Sequence, residues 1–432
     1  MIPAIIRVLL VFLLILFAIR KKVSLGNALF FGAVILGWLF DLTFKSMLFS
    51  VYHSITHPKT LSLTIMVCLI LVFSHSMEVA GQMQRLLDRY RGLIAQPRIN
   101  LIVFPALIGL LPMPGGAIFS APMVKTLGTR LNFNSAQLSF INYWFRHIWE
   151  YWWPLYPGVL LTTTLANLNL WVFVVFLFPL TSIALLLGYW PLKGMKTSSQ
   201  KISANGQDCR TRPPFLPFVK ELSPILIVIC LGLASGAVLT ILLKPYAISI
   251  SKELGLIFSL LVAIGWVWHA NHLSLAQRWR ILRQPQLLGM FYMVAAILVF
   301  KGMLEDSRAV EMISQELLSW HIPLMPIAIL LPFIVGGVVG ITIAFVGTTF
   351  PILISLITAS GEVQFMLPYM MLALASGFVG VLLSPLHLCL LLSNEYFQTS
   401  LAPVYRFLWM PSIALLIASC CYFFLLQMFM GR

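Results

Sequence analysis

Residues 111–123 read LPMPGGAIFSAPM, and no charged side chain occurs between Asn100 and Lys125. Proline removes a helix donor and clashes with the preceding turn, while a Gly-Gly pair leaves amides open and free to take positive φ. In lipid such a break has no water to bond, so it survives only when buried in protein or lining a wet cavity. The flanking limbs, 100–111 and 117–127, are about a dozen residues each, or about 18 Å, roughly half a hydrocarbon core. The stretch therefore predicts a re-entrant hairpin over 100–127 with its tip near the membrane midplane. A Pro-kinked spanning helix is the alternative.

The rest of the chain supports a membrane setting. It has 432 residues, 60% hydrophobic and 9% charged, with a mean hydropathy of +0.96. Many apolar runs reach about 17–20 residues, the length of a transmembrane helix. The formal charge of +15 falls mainly in short loops between apolar runs, where it sets orientation, so no nucleic acid is expected as a partner. The six cysteines show no metal spacing and read as small buried hydrophobes, so no metal site is expected. The run 2–19 ends in Arg20-Lys21-Lys22 without a small-residue cleavage site, and reads as a retained first span.

Spans are expected at 2–19, 25–43 and 60–80, followed by the hairpin, a long helix at 135–161 and a span at 168–190. A polar, basic linker occupies 192–222. Spans at 223–243, 254–270 and 286–304 follow, then a glycine-broken hairpin at 323–358 and spans at 365–392 and 404–428. The halves 1–191 and 223–432 look alike. Glu78 and Glu305, Gly115 and Gly347, and Pro154 and Pro385 are separated by 227, 232 and 231 residues. Five crossings per half require the repeats to be inverted. With both termini outside, Arg20, Lys21, Lys22, Arg85, Arg89, Arg98, Arg278, Arg280 and Arg283 fall inside, as orientation rules demand. The expected fold is an all-α polytopic membrane protein of two inverted repeats, each with about five spans and one re-entrant hairpin. An inner (cytoplasmic) membrane is the expected location. Discontinuous helices meeting at the midplane are a secondary-transporter architecture, and their N-termini favour an anionic group.

LPMPGGAIFSAPM, AFVGTTFPI (344–352) and SPLHLCLLLSNEYF (384–397) together resemble the ion-transporter superfamily of anion and ion transporters. Within it the chain is most similar to a family of about ten-span prokaryotic membrane proteins. The dicarboxylate members carry Ser-Asn-Thr motifs at their hairpin tips, where this chain has Pro-Gly-Gly and Gly-Thr-Thr. The resemblance implies secondary transport and leaves the cargo open.

Charged groups in mid-membrane cost about 2.5–3.5 kcal/mol each on insertion scales, so each requires a reason. The segment NYWFRHIWEYWWP (142–154) is the richest in them. His147 and Glu150 share a helix face, and Arg146 lies four residues before Glu150. Glu150 is the candidate proton-coupling residue, His147 its partner, and Arg146 a bidentate anion ligand. The competing reading pairs Arg146 with Glu150 inside an aromatic belt of Trp144, Trp149, Trp152 and Trp153.

In the second half, His387 follows Ser384 and Pro385 and could bind substrate or merely bond a carbonyl; Glu395 reads as interfacial. At the first tip, Pro114, Gly115, Gly116 and Ser120 are candidate substrate ligands; at the second, Gly347, Thr348 and Thr349. Close helix packing is the competing use of these small residues. Glu78 and Glu305 read as solvated helix ends, and Lys301 as snorkelling.

There is no HExxH zinc motif and no phosphate loop, so no enzymatic activity is expected. The leading expectation is a secondary active transporter of a small anionic solute, coupled to protons or, as a second choice, sodium, with no further cofactor. A homodimer is compatible with this class. The alternatives are a cation/proton antiporter and a membrane-embedded enzyme acting on lipid-linked substrates.

Overall fold

The computed structural model describes residues 3–90, 93–94, 96–113, 115–193, 214–242, 251–320 and 323–430. Pro114 and residues 194–213 of the expected linker lie outside the described residues. Among the described residues all regular structure is helical. The first ten helices are α1 (Ala4–Arg20), α2 (Leu25–Leu39), α3 (Phe44–Thr56), α4 (Pro58–Val79), α5 (Gln82–Tyr90), α6 (Pro97–Gly109), α7 (Ala117–Arg130), α8 (Ser135–His147), α9 (Pro157–Leu165) and α10 (Leu170–Lys193). The next ten are α11 (Phe215–Leu242), α12 (Ser251–Ala270), α13 (Leu275–Leu282), α14 (Pro285–Asp306), α15 (Ala309–Trp320), α16 (Leu324–Val339), α17 (Thr342–Ala359), α18 (Met366–Leu382), α19 (Leu388–Tyr396) and α20 (Leu401–Met430).

Eight helices among the described residues are long and apolar enough to cross a membrane. Burial sorts them: α18 and its lead-in turn are 94% buried and α17 83%, against 33% for α10 and 22% each for α11 and α20. The exposed faces of the outer three carry Val175, Leu186, Leu216, Ile241, Phe424 and Phe429. An apolar outer surface of that extent belongs in lipid, so the protein is membrane-embedded. α17 and α18 form its centre.

The spans expected at 25–43, 60–80, 168–190, 223–243, 254–270, 286–304 and 404–428 fall on α2, α4, α10, α11, α12, α14 and α20. Four expectations are corrected, the first being that the span at 365–392 is two helices, α18 and α19. The long helix at 135–161 is likewise two helices, α8 and α9, because Pro154 and Pro157 lack the donors that the Glu150 and Trp153 carbonyls would need in a continuous helix; Pro157 instead opens α9. The second hairpin turns at Gly340-Ile341, not at Gly347, since Gly340 takes the left-handed conformation (φ +69°) that ends α16. Four segments read as connections are short helices, α3, α5, α13 and α15. In α5 the buried Met83, Leu86, Leu87 and Tyr90 make one apolar face at helical spacing.

The hairpin limbs differ in reach. At 1.5 Å per residue, α6 and α7 extend about 20 Å, whereas α16 and α17 extend about 24 and 27 Å, nearer the hydrocarbon thickness. α16 and α18 approach so closely that only glycine fits between them. A Cβ on Gly336 would collide with the Gly377 carbonyl, and one on Gly380 with the Phe333 carbonyl. Gly265 of α12 faces open space. Gly380→Ala should therefore destabilise the protein by about 1–3 kcal/mol through overpacking. Gly265→Ala should be neutral or stabilising by up to about 1 kcal/mol, because alanine restricts the unfolded chain. Thermal unfolding of the two variants in detergent should show these opposite signs.

Candidate functional site

Four interruptions of helical structure meet in the middle of the fold: the α6–α7 turn, the α8–α9 break, the α16–α17 turn and the α18–α19 break. They enclose a cavity of about 290 Å³, at the lower end of ligand-pocket sizes. Met113 and Gly115 come from the first turn, and Gly340, Ile341 and Thr342 from the second. Arg146, His147, Glu150 and Tyr156 come from the first break, and His387 and Cys389 from the second. Leu71 of α4 and Met290 of α14 complete the wall.

Local sequence explains each element. Gly115 sits at φ +71°, a conformation costing about 1–2 kcal/mol for residues with a Cβ. Gly116 has ordinary helical φ, and its bareness serves a different purpose, because a Cβ there would collide with the Arg146 guanidinium. α8 begins with a capping box between Asn134 and Gln137 and carries Arg146 and His147 in its last turn. The α18–α19 break contains Pro385, and His387 is the residue that starts α19.

Arg146 is 3% exposed, and its Nη2 donates to the Met113 carbonyl at 2.5 Å. Among the described residues its Nε and Nη1 are buried without a hydrogen-bond partner. Glu150 does not pair with Arg146 among the described residues. Its Oε1 accepts from Thr342 Oγ1 at 2.6 Å, and its Oε2 lies 3.8 Å from His147 Nε2. Glu150 thus ties the first break to the second turn. His147 Nδ1 donates to the Tyr143 carbonyl at 2.6 Å and His387 Nδ1 to the Val381 carbonyl at 3.3 Å. The two imidazoles stand edge to face, centroids 4.7 Å apart.

The helix ends at the cavity follow one rule. Carbonyls released where α6 and α18 stop are taken by side-chain donors. Tyr156 Oη donates to Gly109 O (2.7 Å), Trp149 Nε1 to Ala106 O (2.7 Å), Tyr143 Oη to Leu382 O (3.1 Å) and Tyr405 Oη to Leu383 O (2.9 Å). The N-termini of α7, α9, α17 and α19 have no side-chain cap. Their positive dipole ends lie at or beside the cavity, and at α17 the Glu150 carboxylate meets the first residue, Thr342.

One family profile, described as "Protein of unknown function (DUF401)", matches residues 4–425. The chain belongs to the DUF401 family. No curated protein matches it.

In this DUF401 member Gly115, Arg146, His147, Glu150 and His387 all line one cavity. Gly116 adjoins it through Arg146. Ser120 does not line it. Its hydroxyl donates to Asn142 Oδ1 (2.6 Å) within a buried network in which Asn142 Nδ2 donates to Ser393 Oγ (2.9 Å) and Ser139 Oγ to Asn394 Oδ1 (2.5 Å). Gly347, Thr348 and Thr349 do not line this cavity; they lie inside α17. Both hydroxyls bond back to helix carbonyls of Ala344 and Phe345, and Gly347 makes room for Ile297. The tryptophan belt is also corrected: Trp144 is 2% exposed and donates to Ala184 O at 3.0 Å, a core role.

Sequence reasoning missed Thr342, Tyr156 and Cys389. Cys389 lies two residues after His387, but its other neighbour in the cavity, His147, comes from the other half of the chain. Thr342→Val should remove the donor to Glu150 and cost about 1.5–3 kcal/mol, as for a hydrogen bond to a charged group. A double-mutant cycle with Glu150→Gln, read by thermal unfolding, should show coupling of at least about 0.5 kcal/mol.

Proposed function

We propose that this protein is a secondary active transporter of a small anionic solute, built as two inverted repeats that alternate access about the paired hairpins. One observation carries the reading. A buried guanidinium with two unpartnered nitrogens lines a cavity at which four helices begin without side-chain caps. Fixed amide dipoles and an unmatched cation favour an anion there. The resemblance to the ion-transporter superfamily points the same way.

The repeat is supported by the order of elements and by their contacts. Helices α1–α10 and α11–α20 follow the same sequence of spans, short helices, hairpin and broken helix. Packing partners exchange accordingly: α2 packs on α14 as α4 does on α12, α1 on α15 as α11 on α5, and α9 on α17 as α19 on α7. Gly109 abuts the Arg146 carbonyl just as Gly336 abuts that of Gly377. α4 and α14 run antiparallel, since His75 near the end of α4 bonds Gln286 at the start of α14 at 3.0 Å. That direction supports inversion of the halves.

Orientation follows from charge, with both termini outside an inner membrane. Arg85 of α5 reaches Asn271 beside α13, so the basic residues of α5 and α13 share one side. Excess Arg and Lys on that side support a cytoplasmic location for it. In a chain whose six native cysteines are replaced by serine, a single cysteine introduced by Arg280→Cys should react with an impermeant thiol reagent only from the cytoplasmic face of oriented vesicles. Labelling from the opposite face alone would reverse the orientation.

Transport is tested by a thermal-shift screen of organic and inorganic anions, with hits taken into counterflow in proteoliposomes under imposed proton or sodium gradients. Arg146→Gln should weaken binding of the hit about 10- to 100-fold, the worth of a hydrogen bond to charge. Gly116→Ala, which keeps the charge but intrudes on the guanidinium, should weaken binding in the same direction. Unchanged affinity in both variants would remove Arg146 from the site.

A further inference from the structure

Beyond the anion, the cavity holds a second set of donors. Cys389 Sγ and one ring nitrogen from each of His147 and His387 lie within 4.8 Å of one another, and all three residues are buried. We propose that His147, His387 and Cys389 bind a Zn²⁺-class metal ion, with a fourth coordination position open to the cavity.

The orientation of the rings supports this assignment. Each histidine directs Nδ1 to a backbone carbonyl, Tyr143 O for His147 and Val381 O for His387. That fixes the proton on Nδ1 and leaves the Nε2 lone pair as the ligand, the arrangement by which metal-binding histidines are usually held. Two imidazoles and one thiolate form a borderline-soft set that suits Zn²⁺ and disfavours Mg²⁺ and Ca²⁺. Zinc–nitrogen bonds of about 2.0–2.1 Å and a zinc–sulfur bond of about 2.3 Å put tetrahedral ligand atoms about 3.3–3.6 Å apart. From the 4.8 Å limit, the widest pair must close by up to about 1.2–1.5 Å, a rotamer-scale adjustment.

Charge balance shapes the site further. Binding forms a sulfur–metal bond and releases the thiol proton to solvent, so the protein ligands contribute one negative charge. Glu150, 3.8 Å from His147 Nε2, adds a carboxylate beside the set. Arg146 and the uncapped helix ends oppose a bare cation. The fourth ligand is therefore an anion, shared between the metal and the guanidinium.

The test uses the reduced full-length protein in detergent, with Co²⁺ as spectroscopic probe. One equivalent of Co²⁺ per chain should give tetrahedral d–d absorption and a sulfur-to-cobalt charge-transfer band. Zn²⁺ should displace both and raise the unfolding temperature, and Mg²⁺ should do neither. Cys389→Ser should lose the charge-transfer band, and His387→Ala should bind at least tenfold more weakly. Cys420→Ser should behave as the parent protein. Unfolding scans without metal establish that each variant is folded; if Cys389→Ser is not, Cys389→Ala is used for the same reading. No charge-transfer band in the parent protein, or an unchanged band in a folded Cys389 variant, overturns the proposal. Anion counterflow in chelator-treated proteoliposomes reads the transport function separately, so each idea can fail without the other.

Discussion

The fold depends on one constraint: backbone interrupted inside a membrane must find its hydrogen bonds within the protein. The chain meets it by bringing its four interruptions together and treating their two kinds of end differently. Freed carbonyls are covered by long donors, Tyr156 and Trp149 at the end of α6, Tyr143 and Tyr405 at the end of α18. Freed amides at the starts of α7, α9, α17 and α19 receive no side chain. The cavity wall is thus positive by backbone alone, before Arg146 is counted. Chemistry at the centre follows from how the breaks are capped.

The same economy accounts for Tyr143, Trp144, Trp149 and Tyr156 around the first break, whereas Tyr151 Oη, Trp152 Nε1 and Trp153 Nε1 have no hydrogen-bond partner among the described residues. A tyrosine or tryptophan fills volume against neighbouring helices and carries one donor at its tip, which suits a carbonyl in an otherwise apolar interior. Trp144 and Trp149 use their indole N–H groups in this way on Ala184 O and Ala106 O. An interfacial belt and a buried capping set have the same composition, and only the partners of the N–H groups distinguish them.

Much of the architecture was legible in the sequence because proline and long apolar runs have few readings in lipid. The first hairpin follows from missing donors, whereas the breaks near Pro154 and Pro385 lie inside segments read as single helices. The second turn was not legible, because Gly336, Gly337, Gly340 and Gly347 look alike on paper. Gly336 serves helix contact, Gly347 makes room for Ile297, and Gly340 alone among the four takes positive φ. Packing glycines and turning glycines differ only in what surrounds them. Cys389 was hidden for a related reason, since its partner His147 lies on the other half of the chain. No spacing rule spans such a separation, whereas convergence of two broken helices produces it at once.

Glu150 shows how the halves constrain each other. It belongs to the first break, yet its hydrogen-bond donor, Thr342, opens α17 in the second hairpin. Gly158, in the first turn of α9, leaves just enough room for the Thr342 methyl. Any movement of the second hairpin relative to α9 must therefore break the Thr342–Glu150 bond or carry α9 with it. A carboxylate released from Thr342 would stand beside His147 and Arg146, both of which attract negative charge. On the proposed transporter reading, an anion in the cavity would compete with Glu150 for those groups, and that competition is what would link occupancy of the centre to engagement of the second hairpin.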